Sequence, residues 1–67
     1  MTTAQLIEAA RAAGLRVNPA GQKGAWIIAS DRDTLHCHRG WCMLTSATYS
    51  PPPSFRPREA ARRLGLT

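Results

Sequence analysis

Ten residues in the middle of the chain restrict its folding choices most. Leu35-His36-Cys37-His38 and Trp41-Cys42-Met43-Leu44 flank Arg39-Gly40. A two-residue hairpin loop at Arg39-Gly40 sets His38 opposite Trp41, Cys37 opposite Cys42, His36 opposite Met43 and Leu35 opposite Leu44. Side chains alternate between the faces of a strand. Leu35, Cys37, Cys42 and Leu44 therefore share one face, and His36, His38, Trp41 and Met43 share the other. The wider stretch from Ala25 to Tyr49 holds both tryptophans, both histidines, both cysteines and the one tyrosine.

The flanking segments extend this pattern. A strand is expected over Ala25 to Ser30, a loop over Ser30 to Thr34, and further strands over Thr34 to His38 and Trp41 to Thr48. Pairing Ala29 with Leu35 adds Ile27 and Ala29 to the aliphatic face. It adds Trp26 and Ile28 to the Trp/His face. Toward the N-terminus, Thr3 or Thr2 caps a helix with Leu6, Ile7, Ala10 and Ala13 on one side. Arg16-Val17 then lead into the turn-rich NPAGQKG. Toward the C-terminus, Ser50-Pro51-Pro52-Pro53-Ser54 forms a stiff, extended connection. Pro57 opens a last helix whose apolar side is Ala60, Ala61 and Leu64. Both helices end in the pattern EAARxxGL, at Glu8–Leu15 and Glu59–Leu66. The pattern reads as shared Gly-Leu helix-stop chemistry rather than a duplication. The expected fold is one α+β domain over residues 1–67, a three-stranded antiparallel sheet with an N-terminal and a C-terminal helix packed on one face (α-β-β-β-α). That packing leaves the Trp/His face covered by nothing except the proline segment with Tyr49 and Phe55, and an uncovered apolar patch marks a binding surface.

A chain of 67 residues buries a small core. Its 2 cysteines are too few for a secreted disulfide scaffold. The opening MTTAQLIEAARAAG has no basic stretch before an apolar run, and no apolar stretch approaches a membrane span. A cytoplasmic protein with no membrane contact is the expectation. The net charge is +5, from 9 Lys+Arg against 4 Asp+Glu. That balance favours polyanionic partners.

The chemically rich residues do not converge on a catalytic or metal site. Cys37 and Cys42 are cross-strand neighbours, either free core thiols or a disulfide. His36, Cys37, His38 and Cys42 offer zinc ligand types, yet alternation points the histidines away from the cysteines, so no metal or cofactor is expected. His36 and His38 on one face could exchange protons in RNA cleavage, but no third residue is placed to orient them. No catalytic residue is assigned. Arg56, Arg58, Arg62 and Arg63 cluster around the last helix, where they could follow a phosphate backbone or form a solvated face.

Two stretches resemble known families. RPREAARRLGLT, from Arg56 to Thr67, is similar to the opening helix of helix-turn-helix regulators of the excisionase and MerR type, without their recognition helix. The layout of AQLIEAARAAGL, QKG before the first strand and ARRLGL at the end resembles the HicA family of small toxins. That resemblance implies a double-stranded-RNA-binding-like fold. The family's catalytic histidine belongs where this chain has Lys23-Gly24-Ala25-Trp26-Ile27, so ribonuclease activity does not carry over.

The expected function is a small basic, non-enzymatic binding module. It would take RNA or DNA through Trp26, His36, His38, Arg39, Trp41, Met43, Arg56, Arg58, Arg62 and Arg63. The alternative is a regulator or inhibitor of phage or toxin–antitoxin type that caps a larger protein with Trp26, Trp41 and Met43. A homodimer through the same face is a further possibility, and a metal-independent endoribonuclease is the enzymatic outsider.

Overall fold

The structure is a computed structural model that describes residues 1–46 and 51–66. Tyr49 and the end of the expected third strand, residues 47–48, lie outside the described residues. The element order is α1 (Thr3–Ala12), β1 (Arg16–Pro19), β2 (Trp26–Ala29), β3 (Thr34–His38), β4 (Trp41–Leu44), β5 (Ser54–Phe55) and α2 (Pro57–Arg63). The sheet is antiparallel with five strands in the order β1-β2-β3-β4-β5. The α+β class with a helix at each end is as expected, but the sheet has five strands where three were predicted.

The two unforeseen strands are the edges. The sequence reads Arg16-Val17 as leading into a loop that begins at Asn18 and Pro19, which are poor strand formers. An edge strand tolerates them. The Ala20 N–H donates to the Ala25 carbonyl at 3.0 Å, which makes Pro19, one residue earlier, a position whose missing N–H faces away from β2. β5 follows the prolines and pairs only Ser54 with Met43 and Phe55 with Cys42. The expected third strand stops early, at Leu44. The Thr45 N–H and hydroxyl both donate to the Thr34 carbonyl, at 2.9 and 3.1 Å, and turn the chain out of the sheet.

Helix α1 starts at a capping box. The Thr2 hydroxyl accepts from the Gln5 N–H at 3.1 Å, and the Gln5 side chain accepts from the Thr2 N–H at 2.8 Å. Both helices stop in the same way. Gly14 and Gly65 sit at φ 80° and 74°. Their N–H groups donate to Arg11 and Arg62, and the following Leu15 and Leu66 donate to Ala10 and Ala61. These are paired Schellman bonds, and they account for the repeated EAARxxGL without a duplication.

One core joins the helices to one face of the sheet. Leu6, Ile7 and Ala10 of α1 and Ala60 and Ala61 of α2 are buried together with Ile28, Leu35, Cys37, Cys42 and Leu44. Ala13, expected on the same side of α1, is instead its exposed C-cap. Two rows cross the inner face. One runs Val17, Ile28, Leu35, Leu44, and the other Pro19, Trp26, Cys37, Cys42, Phe55. The alanines let the short helices approach the sheet and each other closely.

Leu35 lies mid-row and is fully buried. Leu35→Ala should cost about 2–5 kcal/mol in a urea titration, enough to unfold much of so small a domain. An unchanged midpoint would contradict this core.

Candidate functional site

The second face of the sheet carries the candidate site, and its membership depends on register. Ile28, not Ala29, faces Leu35, and Trp26 faces Cys37. The cause is a tight turn at Ser30. The Ser30 N–H donates to the Asp33 carbonyl at 2.8 Å, and its hydroxyl accepts from the N–H groups of Arg32 and Asp33 at 3.3 and 3.1 Å. Ser30 thus faces Asp33, and Ala29 faces Thr34. The expected pairing of Ala29 with Leu35 is off by one residue, so every β2 side chain lies on the face opposite to that predicted.

Trp26 therefore leaves the proposed surface. It is half-buried at the rim of the core, with the Arg11 guanidinium 5.4 Å from its ring centroid. Ile27 takes its place outside. The outer face has a central row of Asn18, Ile27, His36, Met43 and Ser54. Trp41 is 48% exposed and Met43 36%. Both histidines are half-buried beside them.

Toward the hairpin tip the outer face ends in a second row, His38 opposite Trp41. Phe55 pairs with Cys42, which brings the next residue, Arg56, beside Trp41 on the same face. Its guanidinium carbon is 3.9 Å from the Trp41 ring centroid, and Nη1 donates to the Gly40 carbonyl at 3.4 Å. This stack was not foreseen, because a strand of two residues leaves no periodic signal. Arg39 and Gly40 form the tip at φ 52° and 80°, the two-residue loop that the sequence predicted, with the positive φ at both positions that a type I′ turn has. Left-handed backbone costs a non-glycine residue about 1 kcal/mol, and Arg39 is the one non-glycine residue with positive φ among those described.

The remaining arginines do not join this site. Arg58 and Arg62 are exposed on α2, which packs against the opposite face of the sheet. Arg63 Nε lies 3.7 Å from Asp33 Oδ2, and its guanidinium carbon lies 5.5 Å from the Phe55 ring centroid. The expected cluster of Arg56, Arg58, Arg62 and Arg63 thus divides between Trp41 and the helix layer.

Cys37 and Cys42 face each other as free, fully buried thiols on the inner face. Hydrogen bonding to Cys42, then burial, pushes the Cys37 thiol well above the ordinary range. Alternation keeps both away from His36 and His38, and among the described residues no His, Cys, Asp or Glu group is placed to hold a metal ion.

No family model, curated protein or solved structure matches the chain.

Two outcomes follow from this geometry. Both cysteines should resist a thiol reagent in the native protein and react freely in denaturant; rapid native labelling would show that the inner face opens. Arg39→Asn should raise unfolding stability by about 0.5–1 kcal/mol in urea, because Asn accepts the left-handed conformation more readily. A loss of stability would contradict the type I′ tip.

Proposed function

We propose that the outer face of the sheet binds single-stranded nucleic acid. The observation that carries this reading is the Trp41–Arg56 stack on an open sheet face, in register with His38 and next to Arg39. Unpaired bases expose planar rings that stack on tryptophan and on guanidinium planes. Arg39, beside the stack, supplies charge for phosphate. Arg58 and Arg62 would add a longer-range positive field, consistent with the net charge of +5. His36 and Met43 would extend the contact along the central row. Trp26 has no place in it.

The same face supports a second reading. Trp41 and Met43 expose apolar surface, with Ile27 on the far side of His36, that would suit a protein partner, either a larger protein that this domain caps or a second copy of the chain. The endoribonuclease reading gains no support. Neither imidazole is hydrogen-bonded among the described residues, so nothing there orients a proton transfer.

Titration with single-stranded RNA, single-stranded DNA and duplex across a salt series separates these readings. Single strands should bind, with affinity falling as salt rises. Trp41→Ala should weaken binding about tenfold or more, given a stacking contribution of about 1–3 kcal/mol per base. Arg39→Ala should reduce the salt slope by about 0.7, the value for one phosphate contact on a single strand. Trp26→Ala should act mainly on stability. Salt-independent binding, or none at low salt, would reject the nucleic-acid reading. A concentration-dependent dimer in sedimentation that Trp41→Ala abolishes would favour the second copy.

A further inference from the structure

We propose that a hollow at the tip of the sheet is a binding site for a terminal phosphate monoester, at the end of the nucleic-acid strand whose base stacks on Trp41. The proposal rests on the nucleic-acid reading of the outer face and adds a defined end group to it.

The hollow measures about 330 Å³ and is lined by Thr3, Lys23, Gly24, His38, Arg39 and Gly40. Three separate elements meet there: the first residue of α1, the loop between β1 and β2, and the β3–β4 turn. Of these lining residues, Lys23, Arg39 and His38 carry side chains able to donate to an anion. The Thr3 hydroxyl is not consumed by capping, because Thr2 caps the helix. No carboxylate lines the hollow; the four acidic residues, Glu8, Asp31, Asp33 and Glu59, are all elsewhere. Among the described residues the one ion pair is Arg63 with Asp33, so neither Lys23 nor Arg39 is neutralised.

Gly24 and Gly40 lie at φ 79° and 80°; nothing stands within 4 Å of where a Gly24 side chain would begin, and one at Gly40 would meet Arg56 Nη1 at 3.4 Å. The left-handed backbone of Arg39 places a cation at the rim where Asn or Gly would fit at less cost. A groove at the opposite end of the sheet is larger, but it mixes Arg16, Arg32 and Arg63 with Asp31 and Asp33, and Arg63 is already paired.

His38 connects the two sites. It lines the hollow and faces Trp41 across one strand spacing, about 4.8 Å. A nucleotide stacked on Trp41 would thus set its own phosphate on the His38 side of the stack, toward the hollow. A monoester there bears nearly two negative charges and three acceptor oxygens, where an internal diester bears one charge, so clustered Lys, Arg and His donors favour the terminal group.

The test uses the full chain and one short single-stranded sequence bearing a 5′-phosphate, a 3′-phosphate or hydroxyls at both ends. Binding is read by tryptophan fluorescence and anisotropy. One phosphorylated end should bind about tenfold tighter than the hydroxyl-ended strand, and which end does so gives the strand polarity. Lys23→Gln should remove that increment and leave hydroxyl-ended binding within about twofold. Arg62→Gln, which removes the same charge from α2, should keep the increment. Equal affinity for all three strands, or an increment that survives Lys23→Gln, overturns the phosphate site while the sheet-face reading stands. Failure of every strand to bind rejects that reading and the phosphate site with it.

Discussion

The turn at Ser30 governs which residues this domain hides and which it presents. Its hydroxyl accepts from two consecutive backbone groups, and that tight closure sets Ile28 against Leu35. A shift of one residue would bring Ile27 and Ala29 into the core and turn Ile28 and Trp26 out. The inner row Val17, Ile28, Leu35, Leu44 exists because of this parity. So does the separation of the two tryptophans, one against the core and one in the open.

The edges of the sheet carry a second set of constraints. β1 ends in Pro19, and the two-residue β5 lies between Pro53 and Pro57. Prolines at an edge deny a further strand its hydrogen-bond donors, which protects a small sheet from pairing with other chains. β5 does more than close the edge. Its pairing with Cys42 continues one residue further as Arg56 over Trp41, so this short strand positions the stack. With both helices committed to the inner face, the outer face stays available.

Charge and strain meet at the hairpin tip. The few acidic residues lie in the helices and in the Ser30 turn, and among the described residues the one ion pair holds Arg63 there. Among the same residues Arg39, Lys23 and Arg56 have no carboxylate partner at the other end. Arg39 also occupies backbone that suits Asn or Gly better, and a residue kept against a local preference is a reasonable place to look for function. Stability and binding should therefore move in opposite directions at this position.

The sequence by itself determined whatever depends on local chemistry. The Gly14 and Gly65 helix stops, the Arg39-Gly40 loop and the register from Leu35 to Leu44 all follow from side-chain alternation, capping and turn preference over a few residues, while the choice of Thr2 over Thr3 as the cap came from the structure. The α+β class and the burial of the cysteines followed from the same signals. Tertiary structure alone decided the β2 register, the two edge strands, the Trp41–Arg56 stack and the hollow containing Lys23. In β2 the aliphatic residues Ile27 and Ile28 are adjacent, so hydrophobicity could not say which faces in, and a single hydroxyl at Ser30 settled it. The edge strands are too short and too rich in proline to show a period. His38 and Arg39 are neighbours in the hairpin, but Thr3 and Lys23 share no local pattern with them and meet them only where two loops and a helix end at the same side of the sheet.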